Sequence, residues 1–337
     1  MAKPLQVGIA YLGSPADAGP LAKEAEEAGA DAFTVGETEH SAFGGAVAAV
    51  LATRRIVVGT NISIAFARSP MVAAIEAYSL MALGPGRTFY GLGSQIRQVI
   101  ERRFSAQFSP PVPRMEEYVE VMRRAFASRR GEEVEPFRGK YYTVSQFSFF
   151  GPPEPELEKE SIHLGAVGPK MTALAARRFD GMLGHGVLTP GYIKEKVRPV
   201  IKDLFLTSAA MTSVDEDVAA ARERARWALA FYASTPAYEP ALAFEGYPDL
   251  PARLRVALRE QTREDAARLV SDEVLDRFVL IGRPMDVAEK LARYEGIVDR
   301  VMLGGIGVGA TRAEIVSNNR GLIEVVRCRR ALTGQGN

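Results

Sequence analysis

Residues 161–186 read SIHLGAVGPKMTALAARRFDGMLGHG, and their pattern decides the fold. A short apolar run at 162–164 predicts a strand. It ends in Gly165-Ala166-Val167-Gly168-Pro169, after which Met171, Leu174, Ala175 and Phe179 recur at the spacing of one helical face. Pro169 suits the first turn of that helix, where its missing N–H costs nothing, and Gly165 and Gly168 let backbone approach a ligand closely. The helix N-terminus, with Lys170 beside it, would hold an anion such as a phosphate, although ordinary βα turns use glycine too. A second short strand follows at 181–184, and a crossover this short fits a parallel βαβ unit.

The same cycle runs outward in both directions. Strands are expected from Leu5, Asp31, Ile56, Thr88, Ile162, Gly181, Ala209 and Asp299, with helical patterns between them. Eight βα units in a chain of 337 residues point to an α/β protein, a single closed (β/α)8 TIM barrel over residues 1–337, in preference to an open doubly wound sheet. Two stretches break the cycle. Residues 131–160, after the fourth helix, hold aromatics and then prolines, and suggest an excursion with a small hairpin. Residues 234–276, between strands seven and eight, hold short helical patterns split by Pro236, Pro240, Pro248 and Pro251. Both exceed plain connectors and would shape a substrate pocket.

Composition excludes several classes. With 47% hydrophobic and 25% charged residues, and 42 Lys and Arg against 41 Asp and Glu, nothing advertises nucleic acid or an anionic membrane. The lone cysteine, Cys328, fits a reducing cytoplasm and offers neither an intrachain disulfide nor a cysteine metal cluster. No apolar run reaches the ~20 residues of a membrane span. HExxH, Cys-x-x-Cys and GxSxG are absent, and Gly91-Leu92-Gly93 lacks the third glycine of a dinucleotide fingerprint. No metal is expected. The partner expected is a small-molecule substrate.

In a barrel, chemistry belongs at the C-terminal ends of the strands. The second strand runs into Glu37-Thr38-Glu39-His40 and the sixth into His185, two of only three histidines in the chain. Imidazole is the side chain most easily poised to move a proton near neutral pH, so Glu39 and His40 are the candidate catalytic pair and His185 a candidate pocket residue. His163 is mid-strand and reads as core. Asn61 is polar inside an apolar strand and needs a partner or a ligand.

These pieces together resemble the luciferase-like flavin family, which includes bacterial luciferase-like monooxygenases and oxidoreductases using the deazaflavin F420. The matching segments are Glu39-His40, GTNISIAFARSP at 59–70, GRTFYGLGSQIRQVIERRF at 86–104, GAVGPKM at 165–171 and FDGMLGH at 179–185. The run from GLGSQ to ERRF, with STPAYEP at 234–240, is most similar to the F420-dependent branch. The resemblance implies a homodimeric barrel that binds its cofactor without a covalent bond. It implies a cis peptide at Asn61-Ile62 beneath the ring, Ser94 and Gln95 bordering the ring, and His40 near the reacting carbon. The cofactor phosphate would sit on Gly165, Ala166, Val167, Gly168, Pro169, Lys170 and Met171. Coenzyme F420 is thus the expected cofactor, with FMN in a monooxygenase, or a flavin-binding protein without turnover, as the alternatives. Ile96 stands where the sugar-phosphate dehydrogenases of the family carry a glutamate, which speaks against that substrate.

Overall fold

The apolar runs fold as strands that pair in chain order, seen in a computed structural model that describes residues 3–149 and 151–334. The strands are β1 (Gln6–Tyr11), β2 (Ala32–Val35), β3 (Val57–Thr60), β4 (Thr88–Gly93), β5 (Ile162–Ala166), β6 (Gly181–Gly184), β7 (Phe205–Val214) and β8 (Arg300–Gly305). Each is parallel to the next, and β8 returns to β1 with Gln6 opposite Arg300, so the barrel closes. Closure buries both faces, which is why β2 and β6 are buried at every position. Helices α1 (Pro15–Ala28), α2 (Ala42–Ala52), α3 (Pro70–Leu83), α4 (Pro111–Arg129), α5 (Pro169–Arg178), α6 (Val218–Ala233) and α7 (Arg312–Thr333) are the longer ones around it. Among the described residues, no helix is long and apolar enough to cross a membrane.

Alternate strand residues point into the barrel, and their sizes differ from end to end. At the N-terminal end the interior is plugged. His163 stacks on Phe89 with centroids 4.5 Å apart, and the Arg300 guanidinium lies 5.0 Å over Phe205 and donates to Gln6 at 2.9 Å. Burial, helped by Arg300, pushes the His163 pKa down to about 3, so this histidine is neutral core. Two residues on, the same inward register reaches Gly91 and Gly165, while along β8 it passes through Met302 and reaches Gly304 four residues on. The mouth is therefore lined by backbone where the base is filled by rings.

The strands depart from expectation at three places. The third strand, expected unbroken over 56–64, divides into β3 and the two-residue strand Ser63–Ile64, because Asn61-Ile62 is a cis peptide. Strand seven starts earlier than residue 209, at Phe205. An unforeseen strand, Val279–Gly282, pairs with Met211–Val214 beyond the point where β6 has ended. The excursion after α4 contains the expected hairpin, Phe137–Arg138 against Thr143–Val144. Glu117 of α4 holds its turn by accepting from the N–H groups of Lys140, Tyr141 and Tyr142. Between β7 and β8 the chain makes the helices Glu239–Phe244, Leu250–Glu260, Arg263–Arg268 and Asp272–Phe278. Residues 1–2, 150 and 335–337 of the expected domain lie outside the described residues.

Candidate active site

The backbone after β2 remains tied to its neighbours. Gly36 N–H donates to Tyr11 O at 3.0 Å, Asn61 N–H to Val35 O at 2.8 Å, and Glu37 N–H to Ile62 O at 3.2 Å. The Glu37 side chain continues the tie from the other direction. Its Oε2 accepts from Ile64 N–H at 2.6 Å and its Oε1 pairs with Arg68 at 2.5 Å. The carboxylate therefore grips the segment just past the cis peptide, while its own amide grips Ile62. Arg68 also lies 3.6 Å from Glu76 and 3.5 Å from the Tyr90 hydroxyl, which donates to Glu76. With side-chain exposures of 15% for Arg68 and 9% for Glu37, these charges are shielded from water. Burial works against the Arg68 charge, but Tyr90, Glu37 and Glu76 outweigh it and raise its pKa. Burial, then Glu76, raises that of Tyr90.

Ile62 joins this bulge to the next two strands. A Cβ built on Gly93 would fall 2.7 Å from Ile62 Cδ1, and one on Gly165 would fall 3.1 Å from Ile62 Cγ2. Only glycine at these positions admits the side chain so closely. Asn61, Ile62, Gly93 and Gly165 are thereby assembled at one end of the barrel. Ser94 and Gln95 follow directly, both half-buried. Gln95 has φ +57°, and its Oε1 accepts from Ile96 N–H at 2.9 Å, a local bond that helps fix the left-handed turn.

The loop from β5 to α5 is built as its sequence suggested. Gly168 is the N-cap, in extended conformation with φ −85°, Pro169 occupies the first turn, and no side chain caps the helix. A Cβ on Gly168 would meet nothing within 4 Å. Ala166 is buried, Gly165, Val167 and Met171 are half-buried, and Pro169 and Lys170 are exposed. An open backbone cradle, an uncapped helix start and a lysine on the rim suit an anion.

Glu39 and His40 follow Glu37 by two and three residues. Both are exposed, on the turn before α2, and among the described residues neither makes a hydrogen bond or ion pair. Ser41 next to them caps α2, accepting from Gly44 N–H at 3.3 Å, and no contact between the Glu39 and His40 side chains is found among the described residues. Glu37, two residues earlier, is the carboxylate that grips the segment past the cis peptide, and spacing alone did not separate it from Glu39. His185, by contrast, follows inward-facing Leu183 by two residues and stacks on Tyr238 at 4.5 Å. Its Nδ1 accepts from Val187 N–H at 3.2 Å, and burial lowers its pKa to about 4.

The sequence profile of the luciferase-like monooxygenase family matches residues 4–300, and the chain belongs to that family. It is 33% identical over 293 residues to an uncharacterized protein of Mycobacterium tuberculosis, covering 82% of this chain and 86% of that one. A second M. tuberculosis protein, provisionally named a coenzyme F420-dependent oxidoreductase, is 27% identical over 331 residues, covering 89% and 94%. Among solved structures, the coenzyme F420-dependent tetrahydromethanopterin reductase of Methanopyrus kandleri superposes with TM-score 0.77 at 18% identity, covering 96% of this chain and 98% of that one. That likeness shows the shared barrel.

Proposed function

We propose that this protein is an F420-dependent oxidoreductase that passes a hydride between the deazaflavin and a small organic substrate. The observation that carries this reading is the glycine-lined mouth, in which Ile62 bridges Gly93 and Gly165 directly beside the open cradle at Gly168. A flat tricycle with a phosphate-bearing tail fits that pairing of surfaces. Bound F420 supplies a two-electron hydride carrier that, unlike flavin, does not activate oxygen. Asn61 and Ile62 would support the ring, Ser94 and Gln95 border it, and the segment from Gly165 to Met171 hold the phosphate. Glu37 and Arg68 would fix the support, so that the chain's contribution is orientation more than acid–base chemistry. The family's monooxygenase name and the same phosphate cradle favour FMN as the second reading. Titration with F420 and with FMN, followed by fluorescence, decides between them; tight FMN binding without F420 affinity overturns the first.

Gly168→Val tests the cradle. Since the site has an ordinary φ and open space around the missing Cβ, the variant is expected to fold as the parent does. Its branched side chain would stand where phosphate must meet backbone, so cofactor affinity should fall about tenfold or more, the loss of roughly one charge-assisted hydrogen bond. Unchanged affinity would reduce the loop to a turn.

We further propose a homodimer formed through α2 and α3, in a cytoplasmic setting. Val72, Ile75 and Leu83 of α3 and Leu51 of α2 are exposed, Leu51 at 67%. Such apolar residues on two adjacent helices suit burial against a second copy. Ile75→Glu with Leu51→Glu is expected to give a folded monomer in analytical ultracentrifugation, and a dimer in both proteins would remove this interface.

A further inference from the structure

Helix α6 touches the end of β7 and the loops that follow β8 and β6. Ser213 of β7 donates to Ala221 O at 2.9 Å, Trp227 packs against Gly309 beyond β8, and Tyr232 meets the His185 ring, beyond β6, at 5.2 Å. The segment after it returns to the same place, where Tyr238 stacks on His185 with centroids 4.5 Å apart and planes 21° apart. Thr189 donates to Glu245, fastening this segment to the loop after β6. The interstrand insertion therefore covers one sector of the mouth with rings.

Among the described residues, the hydroxyls of Tyr232 and Tyr238 and the His185 Nε2 have no hydrogen-bond partner, yet none is sealed from solvent. Half-buried phenols ordinarily find one. Since His185 Nδ1 already accepts from Val187 N–H, the ring proton belongs on Nε2, which makes it a third unused donor. The nearby carboxylates are paired, Glu239 with Arg255 at 2.7 Å and Glu245 with Arg277 at 3.4 Å. Burial holds His185 neutral above about pH 4 and raises both tyrosines, so the wall carries no charge at neutral pH.

We propose that His185, Tyr232 and Tyr238 form the substrate wall, and that it takes a planar, uncharged compound bearing a carbonyl or quinone oxygen. The rings supply a flat apolar contact and the free donors meet the oxygen. His185 directly follows Gly184, the last residue of β6, whose register partner is Ala166 of the phosphate cradle. The wall thus adjoins the cofactor surface, and the proposal rests on the cofactor reading above.

The test uses the full chain loaded with whichever of F420 or FMN it binds, so the cofactor reading stands or falls first, by its own titration. Menadione and 2-cyclohexen-1-one are then titrated by calorimetry as neutral carbonyl probes, with glucose 6-phosphate as the anionic one. The neutral probes are expected to bind and the phosphate not to. Tyr238→Ala should weaken menadione about tenfold, the scale of one lost aromatic contact with its donor, while cofactor affinity stays as in the parent. Tyr238→Phe and Tyr232→Phe, which keep the packing, should each give a smaller loss and serve where the alanine variant does not fold. The proposal is overturned if neither neutral probe binds, if glucose 6-phosphate binds more tightly, or if the tyrosine variants leave menadione affinity unchanged.

Discussion

Arg68→Met is expected to cost about 3–5 kcal/mol of folding stability, the range for removing one partner from a buried charge network. Its guanidinium is shared by Glu37 at 2.5 Å and Glu76 at 3.6 Å, with side-chain exposures of 9% and 19% for the two carboxylates. Methionine fills much of the volume, so the loss is electrostatic: two carboxylates face one another in a place water scarcely reaches. In a chain of this length that corresponds to a fall in Tm of about 4–7 °C in scanning fluorimetry. The double variant Arg68→Met with Glu37→Gln should recover part of it, since one stranded charge has gone, and this non-additivity is the signature of a shared network. A single-variant Tm within about 1 °C of the parent would show that the guanidinium is dispensable.

Much of the barrel is legible because its signals are local. The glycine loop before Pro169, the alternation of strand and helix, and the proline-broken insertion all announce themselves within short windows, and the folded chain has each of them. Val279–Gly282 is not legible, because VLIG directly follows helical Asp272–Phe278 and reads as its continuation. The site is legible only in part. Asn61-Ile62 and the cradle lie within continuous motifs. The Arg68 network joins Glu37, Glu76 and Tyr90, residues brought together by the pairing of β2, β3 and β4. In Glu37-Thr38-Glu39-His40 four polar residues follow one strand, and composition ranks the histidine first. What distinguishes them is how far the backbone ladder runs: it reaches Glu37, whose N–H still bonds Ile62 O, and Glu39 and His40 beyond it are exposed. The pairing of His185 with Tyr238 likewise spans residues that no short window connects.

Glu37→Gln should therefore slow turnover far more than His40→Asn. The Glu37 carboxylate accepts from two donors at once, Ile64 N–H at 2.6 Å and Arg68 at 2.5 Å. Glutamine keeps the shape but offers one carbonyl oxygen and an NH2, so one of those donors must face another donor. An unmade buried bond of this kind costs about 1–3 kcal/mol, and here the cost falls on the segment that would carry the ring. Cofactor affinity should drop about tenfold by that measure, and the hydride step in the cofactor-saturated variant should slow by about 10–10², because misplacing the ring leaves the chemistry intact but poorly aimed. His40 is exposed and unpaired among the described residues, so solvent can take over what an imidazole does there. Turnover by His40→Asn should stay within a few-fold of the parent. Stopped-flow measurement of both variants at saturating cofactor separates the two positions. A loss of about 10²-fold or more in His40→Asn, with Glu37→Gln near parental, would return proton transfer to the histidine and leave Glu37 as scaffold alone.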